Sequence, residues 1–212
     1  MGRVRLIGSN RNRRRALWQG ITPDGFKKAN IMKNIIPSSR HVLLSGCSGG
    51  GKSSLLVELA RHGYGVVSEP GRRIVEEESR GDGSALPWVD LAAFAKRAFD
   101  LAVLDRARAL EDAQWIFFDR GFIDAAVALQ HATGLPLSTT LGPFDRYYHR
   151  VFLTPPWPEI YVTDRARQHS MEEAISEYER LFAAYNELGY DPIILPRISV
   201  AERANFLLRF LS

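Results

Sequence analysis

The sequence predicts a three-layer α/β/α domain built on a five-stranded parallel sheet, and three observations carry that expectation. Short apolar runs alternate with longer amphipathic stretches from residue 41 to the end of the chain. Strands buried on both faces read as near-continuous apolar runs, and parallel neighbours need a crossover helix between them. The first run leads straight into Gly46-x4-Gly51-Lys52-Ser53, a phosphate-loop string in its strand, turn and helix setting. Carboxylates paired with arginines then stand just past the second and third runs, where a parallel sheet gathers its ligands.

The elements follow in order. Residues 42–45 read as the first strand and 52–62 as its helix, entered through Ser54, Leu55, Leu56 and Leu59 and closed by Gly63. Residues 64–68 (YGVVS) read as the second strand, and 72–80 as a short helix before Gly81, Gly83 and Pro87 interrupt it. The long stretch 88–113 carries Leu91, Phe94, Ala95, Ala98, Phe99, Ala102 and Leu110 on one helical stripe. Residues 115–118 form the third expected strand, ending at Asp119, and 122–133 a helix stopped by Gly134. A short helix is expected over 139–149 and a fourth strand over 151–153. Pro155, Pro156 and Pro158 then break the chain, so regular structure resumes near Ile160. The series closes with a helix over 172–188 capped by Gly189, a strand over 193–195 and a helix over 200–211.

With 212 residues and 45% apolar content, the chain can bury one substantial core. Its single cysteine excludes an internal disulfide and suits a reducing, cytoplasmic setting. Charge is unevenly spread: residues 1–33 hold nine Lys/Arg against Asp24 alone, leaving 19 basic and 23 acidic groups for the rest. Residues 1–38 are therefore expected to be a poorly ordered basic extension, suited to anionic surfaces, and 39–212 the folded domain. Neither a secretory signal nor a transmembrane run is expected. The five histidines lack ligand spacing, which argues against zinc.

The chemistry begins in the loop Gly46, Cys47, Ser48, Gly49, Gly50, Gly51, Lys52, Ser53 and Ser54. Its backbone N–H groups and the new helix's positive end suit phosphate oxygens, so ATP is the expected ligand. Lys52 would reach the β/γ-phosphates, and Ser53 would take one position on Mg²⁺. Cys47 reads as a small filler rather than a nucleophile. Past the second strand stand Glu69, Pro70 and Arg72: a base for an acceptor hydroxyl beside a substrate contact, or an ordinary acidic helix start. Past the third, Asp119 and Arg120 read as a magnesium-assisting carboxylate and a phosphate clamp, or as a helix cap with an exposed arginine. Arg165 and Arg167 follow the proline break as candidate lid charges. Arg197 lies where the loop after the fifth strand would border a nucleotide base, while Ser199 and Glu202 form a capping box. Trp88, Phe94 and Phe99 could wall an acceptor pocket or simply fill the core.

The strings GCSGGGKSS, VVSEPGRRIVEE, FFDRGFID, VFLTPPWPEIYVTDRARQ and LGYDPIILPRISVAERANFLL together resemble the family of P-loop ATPase and kinase domains of AAA type typified by the NadR nicotinamide riboside kinase domain and extending to the animal Ttd14 protein. The Glu-Pro after the second strand also resembles that of deoxyribonucleoside kinases, where the glutamate is the base for the 5′-hydroxyl. The resemblance implies a nucleoside-kinase-like P-loop fold, ATP and Mg²⁺ as cofactors, and Glu69 as base. It further implies Arg120 as a phosphate or substrate contact and Arg165 or Arg167 in the lid. Two activities are compatible with it: phosphoryl transfer to a nucleoside-like small molecule, or nucleotide-dependent regulation without an acceptor.

Overall fold

Strand β1 (His41–Gly46) is buried at all six residues, as expected of a central parallel strand built around the apolar run 42–44. The computed structural model describes residues 39–109, 114–142, 146–161 and 170–211. Arg165, Arg167 and the basic segment 1–38 lie outside those residues. Around β1 stand β2 (Gly65–Val67), β3 (Ile116–Asp119), β4 (Arg150–Thr154) and β5 (Asp191–Ile194). The sheet order is β2-β3-β1-β4-β5, with every neighbouring pair parallel.

Helices α1 (Lys52–Arg61), α2 (Pro70–Glu78), α3 (Leu91–Arg108), α4 (Phe122–Thr133), α5 (Leu137–Thr140), α6 (Met171–Glu187) and α7 (Val200–Leu208) make the connections. The period-two alternation of a strand divides β1 between two cores. Val42 and Leu44 pack with Leu55 and Leu59 of α1 and Ala204 and Leu207 of α7. Leu43 packs on the other side with Ala102 of α3, Ile123 and Ala126 of α4, and Leu181 and Tyr185 of α6. Three layers result, as the sequence predicts.

Register then delivers the chemistry to one end. Leu44 pairs with Asp119 of β3, and Gly46 with Thr154 of β4. The loop after β1 and the acid closing β3 are thereby held side by side.

Some boundaries differ from expectation. The helix expected over 139–149 is α5 instead, starting directly after Pro136. Residues 146–148 are not helical: the Tyr148 N–H donates to His41 O at 2.8 Å, drawing the chain alongside β1. Tyr147 and Tyr148 bury their rings against Phe122 and Trp115 respectively. Strand β5 begins at Asp191, two residues early, because Pro192 is tolerated on an outer strand. Helix α3 begins only at Leu91, where the Asp90 side chain accepts from the Ala93 N–H at 2.9 Å. Helix α7 stops at Leu208 and tightens into i to i+3 bonds at Phe210 and Leu211, while Arg150 claims the Phe210 carbonyl at 2.7 Å. The Ser199 and Glu202 capping box is present as read, and a second one, Ser170 with Glu173, opens α6.

Leu43 is wholly buried at the centre of the sheet. Leu43→Ala should lower unfolding free energy in urea by about 3 kcal/mol, through lost transfer energy and the cavity left behind.

Candidate active site

Backbone geometry shapes the loop first. Gly46 sits at φ +102°, and a Cβ there would lie 2.4 Å from the Thr154 carbonyl oxygen, so a side chain is excluded by backbone that cannot yield. The Cys47 N–H donates to that same oxygen at 2.8 Å, pinning the loop to β4. Gly51, at φ +79°, caps α1 in the left-handed conformation. No side chain caps α1 and no acid occupies its first turn. The Gly49 and Gly51 N–H groups make no hydrogen bond among the described residues. Free amides at an uncapped helix start form an anion site.

Lys52 is buried, and its Nζ donates to Cys47 O at 2.8 Å. Burial lowers its pKa, as does Arg120, while Asp119, Glu69 and Glu177 oppose the shift. Ser53 Oγ donates to Asp119 Oδ2 at 3.2 Å. Asp119 Oδ1 is buried with no hydrogen-bond partner. Desolvation, with the Glu69 charge, pushes the Asp119 pKa up to about 6. A hydroxyl beside a half-satisfied carboxylate suits a hard divalent cation such as Mg²⁺. No cluster of three or more His, Cys, Asp or Glu among the described residues could hold a metal by itself, so such an ion would draw its remaining oxygens from ligand and water.

Arg120, expected as a phosphate or substrate clamp, is held in a network of ion pairs and hydrogen bonds. It is the only described non-glycine residue at positive φ, at 60°, and all its donor nitrogens are engaged. Nε faces Glu69 Oε1 at 3.3 Å. Nη1 reaches Glu177 Oε1 at 3.1 Å and Asp124 Oδ1 at 3.5 Å. Nη2 donates to Glu177 Oε2 at 3.1 Å and Gly46 O at 3.3 Å. Burial alone would lower its pKa, but Glu177, Glu69, Asp124 and Asp119 outweigh that and raise it. Arg120 thus fastens the end of β3 to the phosphate loop, α2 and α6.

Sequence reasoning missed two members of this hub. Asp124 accepts from Ser45 Oγ, from Tyr185 OH at 2.7 Å and from the Gly121 N–H at 3.0 Å. Glu177 shares its helical face with buried Ala174, Leu181 and Ala184, and a carboxylate on a core-facing stripe was the available signal.

Other expected residues scatter. Glu69 is the N-cap residue of α2 and lines a small cleft of about 70 Å³ with Phe94, Arg120, Ala125 and Glu177. Phe99 packs edge-on against Phe122 in the core, and neither Trp88 nor Arg72 lines that cleft. Ser48 borders the loop half-buried, and Ser54 is exposed on the first turn of α1. Cys47 is fully buried with Sγ 3.5 Å from Ala174 O, which suits a filler. Arg197 donates to the Pro156 carbonyl, tying the segment after β5 to that after β4.

The Asp119 pKa carries a sign. An unfolded aspartate releases its proton near 3.8, whereas the folded chain holds it to about 6. The native state therefore binds more protons between those values and loses stability as pH rises through them. In urea unfolding, Asp119→Asn should abolish a loss of stability of about 2 kcal/mol between pH 4 and 6.5.

No curated protein sequence matches the chain. Among solved structures, deoxyadenosine kinase from M. mycoides with products dCMP and a flexible dCDP bound is 17% identical. That match covers 81% of this chain and 97% of the kinase at a TM-score of 0.47. The same enzyme with bound dATP is 18% identical, with 81% and 98% covered and a TM-score of 0.48. The AAA domain family model matches residues 41–203, a span running from the start of β1 through the phosphate loop and Asp119 into α7. The chain belongs to the AAA domain family.

Proposed function

We propose that the protein binds ATP with magnesium across residues 46–54 and transfers the γ-phosphoryl group to a hydroxyl of a small, nucleoside-like metabolite. The observation that carries this reading is the Ser53 hydroxyl 3.2 Å from the buried, half-satisfied Asp119 carboxylate, beside Lys52 at the uncapped start of α1.

In this mechanism the free Gly49 and Gly51 N–H groups hold phosphate oxygens, and the Lys52 ammonium exchanges Cys47 O for the β/γ-phosphates. Magnesium, held by Ser53 Oγ and by Asp119 directly or through water, would neutralise charge on the transferring group. The acceptor lies in the cleft between Glu69 and Phe94. Its oxygen attacks the γ-phosphorus, the bond to the bridging oxygen breaks to release the diphosphate, and the hydroxyl proton passes to Glu69. Arg120 acts chiefly by fixing Glu69 and the loop, because its donors are already committed.

In this reading the chain would act as nicotinamide riboside kinase domains do, and Arg165 or Arg167 would supply lid charge. Residues 1–38 would be a basic extension to the domain at 39–212, available to anionic surfaces. A cytoplasmic setting agrees with the single buried thiol of Cys47. No described helix is long and apolar enough to cross a membrane.

Lys52→Ala should abolish ATP binding in calorimetry and turnover with it; unchanged turnover would remove Lys52 from its role. Glu69→Gln should keep ATP affinity while slowing phosphoryl transfer by about 10²-fold in a screen of nucleosides and other hydroxylated metabolites. ATP consumption that ignores every acceptor would support the regulatory alternative instead.

A further inference from the structure

Arg203 of α7 is 3% exposed, yet no ion pair offsets its charge among the described residues. Its guanidinium lies 5.2 Å from the Trp157 ring centroid, and Nη1 donates to Gly50 O at 3.1 Å. Nε is buried without a partner. A Cβ on Gly51 would fall 2.9 Å from Nη2, so Arg203 lies directly against the loop.

Two physical consequences follow. The described peptide bonds are trans, so the carbonyl and N–H of one peptide point to opposite sides. Drawing the Gly50 carbonyl toward Arg203 therefore turns the Gly51 N–H the other way, and that N–H is free of internal partners. A buried cation with neither carboxylate nor full hydration is also costly unless an anion comes near.

We infer that Arg203 is a positioning residue of the phosphate loop, holding the Gly50–Gly51 peptide with its N–H toward a bound polyphosphate whose charge offsets the guanidinium. The inference rests on the polyphosphate site proposed above. Arg203 touches the carbonyl side of the loop and need not touch the ligand. Its effect falls on affinity for polyphosphate more than on the transfer step.

The test uses the full chain, with calorimetry for inorganic pyrophosphate and ATP, thermal melts as a folding control, and steady-state kinetics where an acceptor is known. Arg203→Gln should weaken pyrophosphate and ATP binding by about tenfold and raise KM for ATP with kcat nearly unchanged. Arg203→Lys, which keeps the charge but loses the planar fork, should recover part of that loss. Pyrophosphate affinity in folded Arg203→Gln within twofold of wild type would overturn the inference, as would equal losses in Arg203→Lys and Arg203→Gln. Should Arg203→Gln fail to fold, Trp157→Leu keeps the charge and removes the ring that fixes it. About a threefold loss of pyrophosphate affinity is then expected, and no loss overturns the inference. A wild-type chain that binds neither pyrophosphate nor ATP would defeat the polyphosphate site itself, a result distinct from binding that ignores residue 203.

Discussion

Free backbone amides are the scarce resource on which this molecule is organised. Folding normally pairs every buried N–H, and a phosphate site needs several left unpaired and convergent. The chain achieves this by fixing the loop through its other groups. The Cys47 N–H and carbonyl are both taken, by Thr154 and Lys52, and the Gly50 carbonyl is held by Arg203. With those committed, the Gly49 and Gly51 amides remain open at the head of α1.

Charge around that loop is concentrated in a mixed cluster of two cations and four carboxylates. Lys52, Arg120 and Asp119 sit together with Glu69, Asp124 and Glu177, and the two cations both draw the Asp119 pKa down against the effect of its burial. The bidentate Glu177 pairing matters here because it joins α6 to the end of β3. Cys47, with its thiol on the Ala174 carbonyl, makes a second tie between α6 and the loop. The helix that follows residues 162–169 is therefore fastened both to the phosphate loop and to the end of β3.

What the sequence revealed depends on how local the cause is. Gly46, Gly51, Lys52 and Ser53 are legible because one turn's covalent geometry demands them in fixed order. The parallel sheet was legible because burial on both faces leaves apolar runs such as 42–45. Arg120 was found but its partners were not: Glu177 and Gly46 are 57 and 74 positions away, so no local pattern shows what its donors engage. Arg203 was overlooked for the same reason, its partner Gly50 lying 153 positions off. The helix expected over 139–149 failed because the Tyr148 amide finds a strand partner in His41, a tertiary bond that overrides local pattern.

The two outer strands have a bearing on solubility. At one margin β2 offers three residues, and at the other β5 carries Pro192, whose ring nitrogen has no hydrogen to donate. A neighbouring molecule seeking to extend the sheet would find a ledge too short on one side and an interrupted ladder on the other. An open parallel sheet is thereby discouraged from recruiting further strands into an aggregate.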